Sequence, residues 1–545
     1  MKQALNLTNQ DMRRLTFEVE RHNKKNQERG ARTSSAAAGT RLGYGREPVM
    51  FNILAKLCGR PVRQEDTISR FFCKLIESLT FWTHHVPSVR KCLLSLNSIA
   101  SGTATKRTAQ KAKITQALLS KEAGSFEFLA RLPISKLRSR FYSILGKLLF
   151  CEANRKYTAA FMHQFDGQFK DLDQNSRSEI LKLKATGLCR DLTGILDVAE
   201  ARQDYKAMFK WVYPHNLQML VRILETWWDE GQVVNPLLKL VASLVHNKQD
   251  RIHFPKSSAN GIRLFKEASK IVTMYCSQIT QFQHDDAKDS LEVRVKGLQL
   301  CLSILTRALS GNYVCFEVFD MYRDQCVNTA VTALLKPCLS LGTEVLGSHK
   351  KLFRKLCDFL AELFTPEHMK QTLAQSPEMI HKMLLILIDG LCSDQDKFAV
   401  SASAGAFDNL FGMYYMALKN RNEDRSGLNT RLRLLFNDAR CKATLSNVVG
   451  VLMNLVIFGS SKHNNNLWGL SRPMATSIAV DTKAFLAYRN RFVQAQVTEH
   501  RDAVDRAFSE LVAEVEFDIS YHDKNRFTKN LCRFVQHLKG LSKVV

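Results

Sequence analysis

The stretch that decides the fold runs from Phe209 to Tyr275 and reads FKWVYPHNLQMLVRILETWWDEGQVVNPLLKLVASLVHNKQDRIHFPKSSANGIRLFKEASKIVTMY. Its apolar residues recur at steps of three and four, a spacing that places them on one face of each of three helices. Helix by helix, these positions are Leu217, Leu220, Leu224 and Trp227; Leu237, Val241, Leu244 and Val245; and Phe265, Ala268, Val272 and Tyr275. Because a pair of such helices cannot bury its apolar faces alone, the stretch predicts neighbours on both sides.

Short breaks separate the three predicted helices. Gly231 interrupts the first apolar pattern, and Pro236 falls near the start of the second helix, where its missing N–H is tolerated. The polar residues from Asn247 to Pro255 predict a loop, and Asn260 opens the third helix. Two adjacent antiparallel helices with a short connection form a helical hairpin, which is the repeating unit of many solenoids.

The rest of the chain continues this pattern of helix after helix. Its 545 residues exceed what one hydrophobic core holds, since single cores stop growing near about 250–300 residues. Eleven prolines and 25 glycines are few for this length, which favours long helices over many-stranded sheets. Hairpins recur at roughly the 40–47-residue spacing of HEAT repeats. We therefore predict an all-α fold, a superhelical α-solenoid of HEAT-like helical hairpin repeats.

Two regions are predicted along the chain. Residues 1–50 form a poorly structured or non-native N-terminal segment, and residues 51–545 form the solenoid. Within the solenoid, Ser101–Lys113 is basic and rich in Thr and Ala, which predicts a loop. The most apolar stretch, Val448–Gly459, is short for a membrane span and contains Asn454, so it predicts a buried core helix.

The net charge and the cysteine spacing indicate what kind of partner and which redox compartment to expect. Lys and Arg number 78 against 52 Asp and Glu, a formal net charge of +26. Such an excess indicates an anionic partner, although solvated helix faces in a large protein explain it equally. The 14 cysteines include no CxxC pair, which argues against a zinc site or a disulfide framework and for a reducing compartment.

No spacing typical of catalysis occurs. The sequence contains no GxxxxGK[ST] loop, no HExxH and no G-x-S-x-G. We therefore predict no enzyme activity, no catalytic residue, no cofactor and no metal. The function that we predict instead is binding of a macromolecular partner, because paired tryptophans can form a hot spot and basic clusters can contact phosphates. The candidate partner-binding residues are Trp227, Trp228, Lys106, Arg107, Arg138 and Arg140. The structural alternative places one tryptophan in the core and the basic side chains in solvent.

Several segments also carry a family resemblance. They are WVYP at Trp211–Pro214, PLLKLVASLVHNKQDRIHF at Pro236–Phe254, NGIRLFKEASKIV at Asn260–Val272, LSGNYVCFEVFDMY at Leu309–Tyr322, LWGLSRPM at Leu467–Met474 and KNRFTKNLCRF at Lys524–Phe534. Together they resemble the exportin-7 (Ran-binding protein sixteen) family of importin-β-class karyopherins. The likeness is collinear from about Phe51 onward and matches the C-terminal half of that family. We therefore expect either a fragment or a protein that lacks the N-terminal repeats.

The resemblance implies a nuclear transport receptor that performs Ran-GTP-dependent protein export through the nuclear pore. This chain would supply the C-terminal, cargo-binding repeats. The implied partners are the Ran GTPase in its GTP form, protein cargo and nucleoporins with Phe-Gly repeats, and the implied localisation is shuttling between nucleus and cytoplasm. Membrane insertion is not expected. The alternative is a basic HEAT-repeat scaffold that binds RNA or acidic proteins without shuttling; a steep loss of RNA affinity with salt would favour it.

Overall fold

A computed structural model describes residues 64–120, 127–132, 135–172, 177–255, 257–281, 288–393, 396–420, 427–459 and 466–542 of the 545-residue chain. The chain divides into two compact units. The first unit comprises Met1–Ser243 and Lys248–His253, and the second comprises Leu244–Asn247 and Phe254–Val545. The N-terminal segment predicted at residues 1–50 lies outside the described residues, and the single array predicted over 51–545 stays a prediction.

The first unit is a stack of short and medium helices. In chain order they are α1 Gln64–Phe81, α2 Val86–Ser101, α3 Thr103–Lys111, α4 Lys113–Ser120, α5 Glu127–Arg131, α6 Leu137–Leu149, α7 Thr158–Leu172, α8 Glu179–Leu196, α9 Arg202–Trp211, α10 Leu217–Trp227 and α11 Gly231–Leu244. A 3-10 turn lies at Arg155–Tyr157, and the chain is kinked within Val212–Asn216 and Lys248–Asp250, where Tyr213 and Gln249 have non-helical backbone angles. Helices α2, α6 and α8 form a row of neighbours, and α1, α3, α4 and α7 pack against that row.

The second unit is a more regular two-layered stack. Its helices are α12 Asn260–Gln281, α13 Lys288–Leu309, α14 Glu317–Met321, α15 Cys326–Leu339, α16 Thr343–Ser348, α17 Lys350–Leu363, α18 Met369–Thr372, α19 Pro377–Leu391, α20 Lys397–Lys419, α21 Leu428–Asn437, α22 Ala439–Phe458, α23 Leu467–Val480, α24 Thr482–Gln494, α25 Thr498–Leu511 and α26 Tyr521–Ser542. One layer consists of α12, α15, α19, α22 and α24, and the other of α13, α17, α20, α23 and α26. Each helix contacts its neighbours within its layer and a partner across the layers, which is the packing of helical-hairpin repeats.

The predicted fold class is confirmed. All regular secondary structure in the described ranges is helical, and the helix pairs stack as in a HEAT-type array. All twelve apolar positions predicted to face inward between residues 217 and 275 are buried, none of them more than 3% exposed. Helical periodicity therefore located the core faces correctly in this stretch.

The second helix of the opening stretch begins earlier than predicted. Helix α11 starts at Gly231, so Pro236 lies in its second turn rather than its first. Because proline has no N–H, the carbonyl of Gln232 loses its donor within the helix. The hydroxyl of Thr186 on α8 lies 3.3 Å from that carbonyl and 2.9 Å from the carbonyl of Lys182. The Gln232 carbonyl thus shares the single hydroxyl proton of Thr186 with the nearer carbonyl of Lys182.

The prediction of a loop at Ser101–Lys113 is wrong, because α3 and the first residue of α4 lie in this segment. Composition suggested a loop, but Ala109 and Gln110 bury one face of α3. Two threonine hydroxyls satisfy carbonyls near the junctions between the helices. Thr105 donates to the carbonyl of Ile99 at 2.8 Å, and Thr115 donates to that of Ala109 at 2.6 Å. Capping of this kind lets short helices follow one another without a flexible connection.

Helix α22 contains the apolar stretch that was predicted at Val448–Gly459. It begins earlier, at Ala439, where the Asp438 carboxylate accepts the backbone N–H groups of Arg440 and Cys441. Length and composition alone would let this helix cross a membrane, and half of its apolar window is buried inside the protein. It contacts α19, α21, α23 and α24, as expected of a core helix.

One glycine sets how closely two helices of the first unit approach. A Cβ on Gly194 of α8 would lie 2.2 Å from the carbonyl oxygen of Ser139 on α6. We expect Gly194→Ala to lower the free energy of unfolding by about 2 kcal/mol, because the helices must separate to admit the methyl group. Gly167 on α7 has open space at its Cβ position, so Gly167→Ala should raise stability by about 0.5–1 kcal/mol. Urea denaturation of both variants checks this, and equal changes in the same direction would contradict it.

Candidate functional site

The two adjacent tryptophans have different environments. Trp227 is 3% exposed and belongs to the buried face of α10. Trp228 follows the last residue of the helix and is half-buried. Trp227 therefore acts in the core, as in the structural alternative, and it presents almost no surface to a partner. Trp228 retains enough exposed surface for a contact.

Arg138 on α6 is engaged inside the first unit. Its guanidinium binds both carboxylate oxygens of Asp191 on α8, with Nε 2.9 Å from Oδ1, and also donates to the carbonyl of Leu129. The Asp191 side chain is fully buried and that of Arg138 is 12% exposed. Gly187 leaves room for the guanidinium, since a Cβ there would lie 3.0 Å from its Cζ. The ion pair joins two neighbouring helices and occupies the guanidinium of Arg138, whose predicted phosphate contact stays a prediction.

The remaining basic candidates lie at the surface of the first unit. Arg107 and Arg140 are exposed, and Lys106 is half-buried. The ammonium of Lys147 donates to the side chains of Asn97 at 2.9 Å and Ser101 at 2.7 Å. Burial lowers the pKa of Lys147, and the nearby charge of Lys106 lowers it further. Lys106 and Lys147 therefore form a local concentration of positive charge.

Arg251 is a residue that the sequence analysis did not single out. It lies in the segment predicted as a loop at Asn247–Pro255 and is only 2% exposed. Its guanidinium donates to the carbonyls of Leu196 at 2.6 Å, Ala199 at 3.1 Å and Ser243. It also lies 5.3 Å from the centre of the Tyr205 ring. One cation thus satisfies carbonyls at the C-terminal ends of α8 and α11, where the helix dipoles favour positive charge.

A groove of about 790 Å³ opens in the second unit and is lined by the end of α15, by α16 and α17, and by α19. Its apolar lining consists of Leu339, Leu341, Leu346, Phe353, Leu385 and Ile386. A smaller cavity of about 260 Å³ shares Leu341 and lies against α12 and α13. Apolar recesses therefore occur at two successive helix pairs. The groove is concave and combines apolar side chains with several polar ones, as binding sites usually do.

Charged side chains surround the groove. Arg354 pairs with Asp396 at 2.8 Å and lies 4.8 Å from the centre of the Phe398 ring. Although burial opposes it, the hydrogen bond from Arg354 and those from the N–H groups of Ala399 and Phe398 lower the pKa of Asp396. Burial raises the pKa of Asp389, which also lines the groove. The rim is therefore charged while the floor is apolar, so the groove can hold apolar side chains of a ligand that keeps its ends in water.

The sequence contained a signal for this groove. Residues 383–388 of α19 read MLLILI, six consecutive apolar residues, which is more than one face of a helix can bury. Leu385 is accordingly 43% exposed. The other walls come from residues distant in sequence, so only the folded chain shows the groove. Within the described ranges, no group of three His, Cys, Asp or Glu side chains is placed to hold a metal ion.

Comparison with known proteins gives sequence relatives but no family model that matches the chain. Exportin-7-A of Xenopus laevis is 29% identical over 482 residues, which cover 86% of this chain and 44% of that protein. Ran-binding protein 17 of Homo sapiens is 27% identical over 483 residues, with the same two coverages. Exportin-7 of Dictyostelium discoideum is 25% identical over 500 residues, or 90% of this chain and 48% of that protein.

The chain spans a little under half the length of these relatives, 44–48%. A solved structure, described as a circular tandem repeat protein with novel repeat topology, aligns at 12% identity over 88% of this chain and 99% of its own. Its TM-score is 0.32, at which the likeness supports no conclusion. The resemblance noted in the sequence is confirmed by the sequence relatives: over 86% of its length, the chain is similar to the C-terminal part of exportin-7 and of Ran-binding proteins 16 and 17.

Proposed function

We propose that this chain acts as part of a nuclear export receptor, as the C-terminal, cargo-binding repeats of an exportin-7-like karyopherin. One observation carries the proposal: the similarity to proteins named for export and for Ran binding extends over 86% of the chain. The stacked helix pairs support it, because such arrays bind partners through extended surfaces. The proposal includes shuttling between nucleus and cytoplasm and no enzymatic activity.

The proposed partners are protein cargo, Ran in its GTP form and nucleoporins with Phe-Gly repeats. We assign the Phe-Gly contact to the groove that α16, α17 and α19 line, because an apolar floor suits a phenylalanine side chain. Lys106, Arg107, Arg140 and Trp228 remain proposed contacts for cargo. The net charge of +26 keeps the alternative of a basic scaffold for RNA or acidic proteins open to test.

Capture of proteins from a nuclear extract tests the export function. The full chain is immobilised and incubated with extract in the presence or absence of Ran locked in the GTP state. We expect a defined set of proteins to be retained more strongly when Ran-GTP is present, because an export receptor binds cargo and Ran-GTP cooperatively. Recovery of the same proteins in the same amounts without Ran would reject Ran-dependent export for this polypeptide.

A pair of leucine substitutions tests the groove. Leu385 is exposed in the groove, whereas Leu434 on α21 is 65% exposed and is not among the residues that line the groove. We expect Leu385→Asp to weaken retention on Phe-Gly nucleoporin beads by about tenfold, because a carboxylate is poorly solvated in an apolar slot. Leu434→Asp is the matched control and should bind as the unaltered chain does. Equal retention of the two variants would remove the groove from the proposal.

A further inference from the structure

An arginine stacked between two exposed aromatic rings stands out on the second unit. Trp468 and Arg472 lie one turn apart on α23 and therefore share a face. The guanidinium carbon of Arg472 is 4.5 Å from the centre of the Trp468 ring and 5.1 Å from that of the Tyr521 ring. Tyr521 is the first residue of α26, so the three side chains join two neighbouring helices.

The stacked group is held in place by hydrogen bonds between the helices. Arg472 Nη2 donates to the side-chain oxygen of Asn525 at 2.8 Å. The hydroxyls of Ser471 and Thr528 lie 2.7 Å apart. These contacts fix the guanidinium and, through it, the two rings that lie against it. The rings are nonetheless open to solvent, since Trp468 is 62% exposed and Tyr521 is 73% exposed.

Helix α26 adds positive charge beside the rings. Its basic residues are Lys524, Arg526, Lys529, Arg533 and Lys539, and its acidic residue is Asp523. Lys524 pairs with Asp408 at 2.7 Å and Arg526 with Glu514 at 3.4 Å, so the charge available to a ligand comes from the cations further along the helix. Asp523 is 8% exposed and accepts backbone N–H groups of the preceding segment, so it offers little negative charge to a ligand. Lys529 and Arg533 are exposed further along the helix. Lys529 lies eight residues after Tyr521, or about 12 Å along the helix axis.

We propose that these residues, the Trp468–Tyr521 surface, bind single-stranded RNA. Bases would stack on the open faces of the two rings, and the exposed cations of α26 would contact phosphates. Stacking platforms next to a basic surface are the usual means by which proteins hold unpaired strands. This inference goes beyond the proposed transport function and does not depend on it.

The geometry favours RNA over an acidic protein segment. Anchors of protein interfaces are usually enclosed in packed pockets, whereas these two rings protrude with most of their area in water. Arg472 lies against both rings and donates from Nη2 to Asn525, while its Nε is buried and therefore closed to a carboxylate of a partner. Duplex RNA is disfavoured as well, because its base faces are hidden within the helix.

Fluorescence anisotropy with a short labelled oligouridine and the full chain tests the proposal. We expect Trp468→Ala and Tyr521→Ala each to weaken binding by about tenfold, because each removes one stacking face. Trp468→Phe keeps a ring and should bind within about threefold of the unaltered chain. Lys529→Ala should reduce the slope of log affinity against log salt by about 0.7, measured between about 50 and 200 mM.

Tyr322 supplies the matched control, because it is 75% exposed in the same unit and lies outside this surface. Tyr322→Ala should bind as the unaltered chain does, and the variants should retain its circular dichroism spectrum. No binding by the unaltered chain, or equal affinities of Trp468→Ala and Tyr322→Ala, would overturn the proposal. Competition by polyglutamate as strong as that by unlabelled oligouridine would assign the surface to acidic proteins, and equally strong competition by duplex RNA would also overturn it.

Discussion

Replacing Arg138 by methionine should lower the free energy of unfolding of the first unit by about 3–5 kcal/mol. The substitution keeps much of the side-chain volume but removes the partner of Asp191, whose carboxylate is fully buried. Without its cation, Asp191 must either stay ionised in the interior or take up a proton, and each costs free energy, whereas the intact pair is satisfied at both oxygens. Hydrogen–deuterium exchange of the α6 and α8 amides measures the loss of stability in the two helices that the Arg138–Asp191 ion pair joins.

The effect of Arg138→Met should also depend on pH. Burial raises the pKa of Asp191 to about 7, and Arg138 opposes that shift. Removing Arg138 should raise this pKa further. A carboxyl whose pKa is higher in the folded state than in the unfolded state stabilises the fold at low pH, and that stability is lost as pH rises to the folded-state pKa. The loss of stability of Arg138→Met relative to the unaltered chain should therefore grow as the pH rises above about 7.

Arg140 is the control for this prediction. It lies on the same helix two residues away, and its side chain is exposed. Arg140→Met should change stability by no more than about 0.5 kcal/mol, as is usual for surface substitutions. Similar losses in the two variants, or a loss in Arg138→Met that does not vary with pH, would contradict the role assigned to the ion pair.

The contrast between these two arginines shows where inference from sequence stops. Both belong to one basic cluster, and nothing in their local sequence tells a buried ion pair from a solvated side chain. The distinction depends on Asp191, 53 residues away from Arg138. Sequence periodicity did predict the buried faces of α10, α11 and α12, because local spacing alone decides which face of a helix is apolar.

The candidate binding sites were also hard to predict, because they too depend on contacts between residues that are distant in the sequence. The groove and the Trp468–Tyr521 surface each combine residues from helices that are separated along the chain. The prediction of a loop at Ser101–Lys113 was wrong for another reason. The composition of this segment favours a loop, but hydrogen bonds from Thr105 and Thr115 to carbonyls near the helix ends make short helices possible. A threonine that donates to a preceding carbonyl cannot be told from a solvated one by sequence alone.

Arg251→Met should likewise cost about 3–5 kcal/mol, because it removes a charged donor from three buried carbonyls of the first unit, of which that of Leu196 keeps another donor, the N–H of Ala199. The guanidinium bridges the C-terminal ends of α8 and α11, and no apolar side chain can replace those hydrogen bonds. Urea denaturation followed by circular dichroism measures the loss. A lysine at this position has one ammonium in place of a planar fork, so Arg251→Lys should recover only part of the stability.

Arg202 provides a matched control for Arg251, because it is an exposed arginine that also donates to a backbone carbonyl. Its Nε lies 3.2 Å from the carbonyl of Asp250, in the same turn that carries Arg251. Arg202→Met should cost no more than about 0.5 kcal/mol, since water can satisfy that carbonyl. If both variants lost stability equally, the hydrogen bonds of the loop backbone, and not those of the Arg251 side chain, would hold the loop in place. A large loss confined to Arg251→Met would instead establish that one buried cation anchors Lys248–His253 to the other residues of the first unit.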